Sequence, residues 1–436
     1  MRLGTLIDPH AFLSAAFKAG VAAADPRAAT RQAVLKRLPF DLPVWVIAVG
    51  KGAHAMASGA VDALHQHHVP IAGGLVVANA ADASATHGLQ SVDGDHPTPG
   101  PGSFAAADQL AELTERTTAD ADAIVLVSGG ATSLIAAPLA PIGEDELTHT
   151  FEALLASGAD IGLMNAVRKR LLRFGAGRLA LALGTRRIDC LIASDVVGND
   201  LPSIASGPCV PDRGSAGETQ RLLREVGAWD ALPLAVRHHL EAMTNGRVPD
   251  VPAADHPRFT SAHVEIILDR TNAERGVADF ARTAGASVEV LPAPLTGDAS
   301  KAARQFVAWL LDRQPRGMHC VITSGETTVT LGADAGRGGR CQEFALTSAI
   351  ELERSPGITV LAAGTDGRDG PTDAAGAIVD SDTTRRIHAF GVDPQNALRT
   401  HGSYNALDAA GALLKTGPTG TNVNDLVIAL VSVRHP

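Results

Sequence analysis

The sequence predicts an α/β protein with mainly parallel sheets and helices on both faces. Short apolar runs alternate along the chain with longer amphipathic stretches, the pattern of repeated strand–helix units joined by right-handed crossovers. The run VWVIAV at residues 44–49 is apolar throughout, which is typical of a strand buried on both faces. Polar, glycine-rich segments follow these runs, where such sheets bind their ligands.

Each element is predicted from its own hydrophobic period. Apolar runs predict strands at residues 44–49, 74–78, 123–127, 188–193, 264–268, 287–291, 319–323, 358–362 and 426–431. Amphipathic stretches predict helices at residues 53–64, 103–114, 163–181, 301–311 and 342–352. Residues 245–257 hold three prolines and a glycine that break helical continuity. We therefore expect a domain boundary near residue 250, giving domains 1–250 and 251–436.

Length and composition exclude several classes of protein. The chain has 436 residues, 45% of them hydrophobic and 19% charged, which indicates a large buried core rather than disorder. A net charge of −10 and only 3% aromatic residues argue against nucleic-acid binding. No apolar stretch is long enough to span a membrane. With four scattered cysteines and no C-x-x-C, we expect a soluble protein of a reducing cytoplasm.

The first candidate binding segment, Gly50-Lys51-Gly52, follows the predicted strand 44–49 and opens a helix. The glycines allow close approach of the backbone to a ligand, and the helix N-terminus supplies amides for an anion. Lys51 suits a cation that reaches into a cleft. With Ala55 the segment also satisfies the G-x-G-x-x-A dinucleotide fingerprint, although that match alone is weak. A tight turn with a solvated lysine is the alternative.

Residues 94–103 form a second candidate segment, in which prolines alternate with glycines. Such a rigid loop can direct His96 or Asp95 into a site, and Ser103 is a plausible N-cap for the following helix. A purely structural turn accounts for the pattern equally well.

The third segment, residues 127–133, runs from a strand into glycines and hydroxyls. Successive amides in such a turn form an anion-binding nest, and hydroxyls add donors without charge. The chain has neither a Walker A motif nor a G-x-S-x-G elbow. We expect a phosphate cradle formed by Ser128, Gly129, Gly130, Thr132 and Ser133.

The fourth segment places Asp195 immediately after the strand 188–193. That position suits a general base or a magnesium ligand. Asp200 could share this role or cap a turn. Ser206 follows nearby and is a further candidate for ligand binding.

Three glycine-rich segments lie in the C-terminal half, at residues 336–340, 363–373 and 416–425. The last carries many small hydrogen-bond donors, which suit a nucleotide or substrate loop or a plain turn equally well. Residues 336–340 carry three glycines and two arginines at the start of a helix, which favours a phosphate or carboxylate ligand. Residues 363–373 form an oxygen-rich loop suited to Mg²⁺ bound partly through substrate phosphates, or to a cluster of Asx-turns. The candidate binding residues here are Glu326, Gly338, Gly339, Arg340, Glu343, Thr419 and Asn422, with Asp366 and Asp373 as candidate metal ligands.

Taken together, the ordered set of segments resembles the glycerate 2-kinase family, whose members carry a C-terminal MOFRL domain. The resemblance covers nearly the whole chain and rests on residues 49–52, 94–99, 128–130, 165–169, 194–198, 205–208, 338–343, 364–367 and 416–422. Cys341 stands where the family usually has asparagine, and Ala131 interrupts a run usually richer in glycine. The resemblance implies a Rossmann-like three-layer αβα N-terminal domain and a smaller α/β domain with a mixed sheet, whose MOFRL-type region spans about residues 318–432.

The resemblance also implies ATP-dependent phosphorylation of D-glycerate at its 2-hydroxyl, with Mg²⁺, to give 2-phosphoglycerate and ADP. The family's catalytic lysine and arginine map onto Lys51 and Arg340, which would neutralise the transferred phosphoryl group from opposite sides of an interdomain cleft. We hypothesise that Asp195 orients or deprotonates the attacking hydroxyl and that Asp366 with Asp373 holds Mg²⁺. A homodimer is left open.

Two rival functions remain. An NAD(P)-dependent hydroxypyruvate reductase would use the fingerprint at Gly50, and needs an acidic residue after the second strand, for which Asp82 lies slightly too far along. A non-catalytic sensor of a sugar acid or nucleotide would bind tightly without turnover.

Overall fold

The computed structural model describes residues 8–79, 88–159, 161–313, 317–332 and 335–432. The chain forms two compact units, Pro26–Ile267 and the remainder on either side of it. This division falls after Ile267, and the domain boundary near residue 250 stays a prediction. Strand Ala262–Leu268 joins the sheet of the Pro26–Ile267 unit. Helix α1 (Pro9–Ala23) packs against Arg270–Thr283, where Gly20 leaves room for Val277.

The first unit (Pro26–Ile267) is built on a six-stranded sheet in the order β3-β2-β1-β4-β5-β6. Strand β1 pairs in parallel with both β2 and β4, so the chain winds outward in two directions from this point. Ligands of doubly wound sheets bind at the carboxyl ends of the strands where the order reverses. The strands are β1 (Val44–Val49), β2 (Ile71–Ala78), β3 (Gln90–Asp93), β4 (Asp122–Val127), β5 (Ile188–Ala193) and β6 (Ala262–Leu268).

Helices cover this sheet, and the buried apolar side chains of β1, β4 and β5 form its core with those of the helices. The helices are α2 (Pro26–Leu35), α3 (Ala53–Gln66), α4 (Pro101–Glu115), α5 (Ala131–Leu134), α6 (Glu144–Ala156), α7 (Ile161–Leu171), α8 (Arg178–Ala182), α9 (Ala216–Glu225) and α10 (Leu234–Thr244). Short 3₁₀ turns cover Ile204–Ser206, Trp229–Ala231 and Pro257–Thr260.

One predicted helix, residues 163–181, is interrupted. Helix α7 ends at Leu171 and α8 begins at Arg178. Between them Ala176 and Gly177 have φ of 52° and 82°, a left-handed conformation that stops an α-helix. Their amides donate to the carbonyls of Ser206 and Gly207 at 2.8 and 2.7 Å, so a tertiary contact replaces the helical hydrogen bonds.

The second unit contains a seven-stranded sheet in the order β12-β11-β10-β13-β9-β7, with β8 paired to β9. Its central pairs β9–β13, β13–β10 and β10–β11 are antiparallel, whereas β7 and β8 run parallel to β9. The mixed sheet implied by the family resemblance is confirmed, and the mainly parallel arrangement predicted from alternation is wrong here. The strands are β7 (Ser287–Val290), β8 (Leu295–Asp298), β9 (His319–Thr328), β10 (Ile358–Gly364), β11 (Gly376–Asp380), β12 (Leu413–Leu414) and β13 (Asp425–Val431).

Strand β9 continues five residues beyond its predicted end at residue 323, because Gly325 and its neighbours pair with β13 and β8. Glu326 is therefore on a strand, not in a loop.

None of the described helices is both long and apolar enough to cross a membrane. The helices of this unit after α1 are α11 (Arg270–Thr283), α12 (Ala299–Leu311), α13 (Arg340–Leu352), α14 (Thr383–Ala389), α15 (Pro394–Arg399) and α16 (Ser403–Ala409).

Candidate functional site

The loops that follow β1 and β4 are joined to each other. Gly50 has φ of 129°, and a β-carbon there would lie 2.2 Å from Ser128 Oγ. The Gly52 amide donates to Ser128 Oγ at 3.0 Å, and the Lys51 amide donates to the Gly129 carbonyl at 2.9 Å. Only glycine fits at residue 50. The close contact places Lys51, whose side chain is exposed, beside the glycines after β4.

Three predicted functional side chains surround Gly129 and Gly130. A β-carbon at residue 129 would lie 2.0 Å from Asp195 Oδ2. At residue 130 it would lie 2.9 Å from His96 Cδ2 and 3.5 Å from Lys51 Cγ. The structure thus brings together residues that the sequence separates widely, at the edge of the sheet where ligands are expected.

His96 is held uncharged at neutral pH. Burial and, to a smaller extent, the charge of Lys51 lower the pKa of the imidazole to about 4. Loss of hydration disfavours the charged ring, and a nearby cation repels it. His96 can therefore donate a hydrogen bond to a ligand or accept one from it at pH 7, but it supplies no positive charge.

The hydroxyl groups of Thr132 and Ser133, which follow Gly130, make different contacts. Thr132 Oγ1 lies 3.2 Å from Ser206 Oγ, which brings a second predicted loop to the same place. Ser206, with φ of 59°, belongs to a left-handed turn between Ala205 and Gly207. Ser133 instead donates to the carbonyl of Pro97 at 2.7 Å, and so fixes the loop that carries His96.

The predicted N-cap of α4 is wrong. This helix begins at Pro101 after the N-cap Gly100, and Ser103 is its third residue. The Asp95 carboxylate accepts hydrogen bonds from the amides of Gly102 and Ser103, at 2.8 and 3.3 Å. Asp95 therefore caps the helix, as a carboxylate at a helix N-terminus does, and His96 is the residue of this loop that borders Gly130.

Two alternatives from the sequence have simple outcomes. Asp200 accepts a hydrogen bond from the Ser203 hydroxyl and its carbonyl accepts from the Ser203 amide, so it caps a turn. Asp82, the acidic residue considered for a dinucleotide ribose, lies outside the described residues.

In the second unit Arg340, the first residue of α13, is held by two carboxylates. Its Nε and Nη2 donate to Asp425 at 2.6 and 3.0 Å, and its Nη1 donates to Glu326 at 2.8 Å. Burial opposes the charge, but Asp425 and Glu326 outweigh it, and the pKa of Arg340 lies above its ordinary value. The cation predicted to be available for an anionic ligand is thus already compensated by the chain itself.

The N-terminus of α13 is likewise occupied. Asp369 accepts from the amides of Cys341 and Gln342 at 3.1 and 2.8 Å, and a β-carbon at Gly339 would lie 2.3 Å from its Cγ. The helix end predicted to hold a ligand phosphate instead binds this buried carboxylate. Burial raises the pKa of Asp369 to about 7, opposed by the hydrogen bonds from the helix.

The other glycines of this segment serve close packing. We call residues 335–339 the arginine loop. A β-carbon at Gly336 would lie 2.8 Å from Gly402 Cα, and one at Gly338 would lie 2.3 Å from Ser403 Oγ. The glycines that suggested a phosphate or carboxylate site are therefore required by the close approach of residues 402 and 403.

Glu343, predicted to bind a ligand, faces inward. Its carboxylate accepts from His401 Nδ1 at 2.8 Å and from Ser300 Oγ at 3.2 Å, and the side chain is only 6% exposed. These contacts connect α13 to its neighbours and favour a structural role.

Two further loops are hydrogen-bonded to each other. The acidic loop (residues 365–375) contains most of the predicted segment 363–373, and the threonine loop (residues 415–424) contains most of the predicted segment 416–425. The Thr419 hydroxyl donates to the Thr365 carbonyl at 2.5 Å, and its amide donates to the Asp366 carbonyl at 3.2 Å. Asn422 lies in the same threonine loop. The Asp366 carboxylate accepts from the Arg368 amide at 3.0 Å, which forms an Asx-turn.

The predicted metal ligands differ in their surroundings. Asp373 accepts from Tyr404 Oη at 2.6 Å, and Lys415 Nζ lies 3.2 Å from it. These two hydrogen bonds lower the pKa of Asp373. A carboxylate already paired with an ammonium group fits poorly as a magnesium ligand, whereas Asp366 remains the candidate predicted from the sequence. Among the described residues no group of three or more His, Cys, Asp and Glu side chains is arranged to hold a metal.

Sequence reasoning missed four residues that shape this unit. Asp369 and Asp425 stood inside or beside quoted segments, and their only signal was a carboxylate near a strand end. Tyr404 and Lys415 gave no signal, because their partners are far away in sequence. Asp425 binds Arg340, Asp369 binds the start of α13, and Tyr404 binds both Asp373 and Lys415.

The fold and these side chains define an α/β protein with glycine-rich loops and a lysine after strand ends and an arginine at a helix start. Residues 12–241 match the family described as a domain of unknown function, DUF4147, and residues 319–425 match the MOFRL family. The chain is 33% identical to a glycerate 2-kinase of Pyrococcus horikoshii, covering 95% of this chain and 96% of that one.

A crystal structure of a glycerate kinase from Thermotoga maritima superposes with a TM-score of 0.84 and 32% identity, covering 97% of this chain and 99% of that one. A putative hydroxypyruvate reductase of Agrobacterium vitis is 34% identical over 95% of this chain and 93% of its own length. The chain belongs to the glycerate 2-kinase family, with a DUF4147 region followed by a MOFRL region.

Proposed function

We propose that this protein is a glycerate kinase that transfers a phosphoryl group from ATP to the 2-hydroxyl of D-glycerate, giving 2-phosphoglycerate and ADP. Family membership supports the reaction class. The observation that carries the proposal is the meeting of Lys51, His96 and Asp195 around Gly129 and Gly130 at the switch point of the sheet. Phosphoryl transfer depends chiefly on positioning and on neutralising the charge of the transferred group, which suits these residues.

Lys51 has the role of the neutralising cation. Its backbone is fixed by the amide hydrogen bond to Gly129, while its side chain is exposed and reaches past Gly130. An ammonium group binds a phosphoryl or carboxylate oxygen as a point charge. Removing such a contact costs about 3–4 kcal/mol in the barrier, or about 10²–10³-fold in rate.

Asp195 has the role of orienting the attacking hydroxyl and accepting its proton. Its carboxylate adjoins Gly129, so a hydroxyl bound over the two glycines would meet both Asp195 and Lys51. His96, uncharged at pH 7, is suited to bind a substrate oxygen through a hydrogen bond rather than through charge attraction. The hydroxyls of Thr132 and Ser206 complete the polar border.

Arg340 has the role of a second anion-binding group, in which a substrate anion replaces one of its two carboxylate partners. Its two-point contact with Asp425 involves a carboxylate that is 9% exposed, whereas Glu326 accepts one hydrogen bond from Arg340 and is 44% exposed. A substrate anion can take the place of Glu326 more readily than that of Asp425, because less buried structure is lost. Asp425 would then keep the guanidinium plane fixed.

Magnesium remains a prediction carried by Asp366. When bound with ATP, the ion would neutralise phosphate charge. No step of the reaction is assigned to it here.

Purified protein incubated with ATP, Mg²⁺ and D-glycerate tests the proposal. We expect phosphorus NMR to identify 2-phosphoglycerate as the product, and Lys51→Met to lower the rate by about 10²–10³-fold. Lys18→Met, at an exposed position on α1, serves as the matched control and should retain the activity. Formation of 3-phosphoglycerate would contradict the regiochemistry, and full turnover by Lys51→Met would contradict the site.

An NAD(P)-dependent hydroxypyruvate reductase is the second candidate. The strand order with Gly50 and Gly52 after β1 is that of dinucleotide-binding folds, and the Agrobacterium vitis relatives carry that name. Lys51 in the turn suits a close pyrophosphate less well. Oxidation of NADH by hydroxypyruvate, followed by absorbance, would favour this reading, while binding of glycerate without either reaction would favour a sensor.

A further inference from the structure

Tyr404 is the one tyrosine in the sequence, and it contacts three loops of the second unit. The guanidinium of Arg337, in the arginine loop, lies 3.8 Å from the ring centroid. The phenol donates to Asp373 of the acidic loop at 2.6 Å. Lys415, which begins the threonine loop, donates to the phenol oxygen at 3.0 Å. We call these four residues the tyrosine cluster.

The tyrosine cluster is buried at its centre and exposed at its rim. Tyr404 is 6% exposed, whereas the side chains of Arg337, Asp373 and Lys415 are 49%, 58% and 44% exposed. Exposed ion pairs contribute little to stability. The rim contacts are joined by one fixed phenol, so their main consequence is the relative position of the loops to which they belong.

The backbone adds to this connection. The Tyr404 amide donates to the Arg337 carbonyl at 3.1 Å, and the Gly336 amide donates to the Thr400 carbonyl at 2.8 Å. The arginine loop is therefore bound to the start of α16 by its main chain as well as by the stacked guanidinium.

Between Arg337 and Arg340 the chain has no room to adjust. A β-carbon at Gly338 would lie 2.3 Å from Ser403 Oγ. On the opposite side, a β-carbon at Gly370 would lie 2.4 Å from the Gly338 carbonyl oxygen. Because close-packed segments transmit displacement rather than absorb it, a shift of Arg337 should reach Arg340.

We propose that Tyr404 is a positioning residue, which couples the arginine, acidic and threonine loops and thereby fixes the direction in which Arg340 is presented. The inference rests on the proposed function only where it predicts a change in kcat/KM for glycerate phosphorylation. Tyr404 acts through Arg340 and is not assigned a contact with substrate. Nothing in the sequence resemblance assigned it a role.

Hydrogen exchange of the full chain without substrate tests the coupling. In Tyr404→Phe, which keeps the ring and removes the phenol, we expect faster exchange in the acidic and threonine loops together. In Arg337→Met we expect faster exchange in the arginine loop and the first turn of α13. Exchange that changes only within α16, or in none of the loops, would overturn the proposal.

Arg313→Met is the matched control, because Arg313 also lies 3.8 Å from an aromatic centroid, that of Trp309, and pairs with Glu289 instead of the three loops. It should leave their exchange unchanged. In the kinetic arm, Tyr404→Phe should lower kcat/KM for glycerate phosphorylation by about 10- to 100-fold, as small misplacements do, with an unchanged melting temperature. Wild-type kcat/KM in Tyr404→Phe, or an equal loss in Arg313→Met, would overturn the positioning role.

The two arms separate the inference from the proposed function. Coupled exchange in a chain that does not phosphorylate glycerate would contradict the kinase and leave the positioning inference standing. Normal kinase activity of the wild type, with hydrogen exchange of the three loops unchanged in the variants, would contradict the positioning inference and leave the kinase standing.

Discussion

Gly129 faces the carboxylate of Asp195 so closely that a β-carbon at residue 129 would lie 2.0 Å from Oδ2. The two residues follow the ends of neighbouring strands, β4 and β5, which pair in parallel. No side chain fits between them, so the glycine determines where the carboxylate can lie. The two groups thereby define one edge of the candidate site.

Gly129→Ala should displace Asp195 and lower kcat by about 10²-fold, because catalytic groups tolerate little misplacement. The φ of Gly129 is not in the left-handed region, so the effect is steric rather than conformational. Gly217→Ala is the control, since its β-carbon would meet only Thr244 at an ordinary 3.5 Å. Steady-state kinetics of both variants would decide, and unchanged kcat in Gly129→Ala would exclude Asp195 from the chemistry.

His96 should titrate with a midpoint near pH 4, since burial and Lys51 lower its pKa to about 4. Lys51→Met removes the cation and should raise the midpoint, because the protonated ring is then repelled less. Histidine resonances in NMR spectra recorded across this pH range measure both values. Lys18→Met should leave the midpoint in place, and an identical midpoint in Lys51→Met would show that the lysine does not act on the ring.

Asp425→Asn and Glu326→Gln should differ in their effect on folding. Asp425 is 9% exposed and binds Arg340 at two points, so losing its charge should cost about 3 kcal/mol. Glu326 is 44% exposed with one contact to Arg340, and its change should cost at most about 1 kcal/mol. Thermal melting of both variants tests the order, and equal melting temperatures would contradict it.

Asp369 should make stability fall as pH rises. Its folded pKa of about 7 lies above the ordinary value of 3.8, so between these values the folded chain keeps a proton that the unfolded chain has lost. Its contribution is fully present below about pH 4 and is lost as pH rises through about 7.

Asp369→Asn removes this titration while keeping the size of the side chain. We expect the melting temperature of the wild type, relative to that of Asp369→Asn, to decrease between about pH 5 and about pH 8. The difference between the two melting temperatures removes the contribution of the titratable groups that both proteins share. A constant difference across this range would mean that Asp369 titrates as an ordinary carboxyl.

Local sequence patterns were sufficient for β1, β2, β4, β5 and β6 of the first unit, but not for the short edge strand β3. The run at residues 44–49 is a strand with the predicted bounds, and Gly50-Lys51-Gly52 lies at its carboxyl end. Hydrophobic period and glycine position act over a few residues, so they can be read without knowing the fold. The same reasoning failed where distant contacts decide, as at Gly177, whose amide binds the Gly207 carbonyl and ends a predicted helix.

By itself the sequence determined which groups are available: Lys51 after a buried strand, Arg340 at a helix start, and carboxylates in glycine-rich loops. The tertiary structure alone decided how they are paired. Arg340 meets Asp425 across 85 residues of sequence, and Asp369 caps α13 from 27 residues beyond Gln342. Charge and hydrogen-bond complementarity act through space, and only the packed fold sets which groups come within reach of one another.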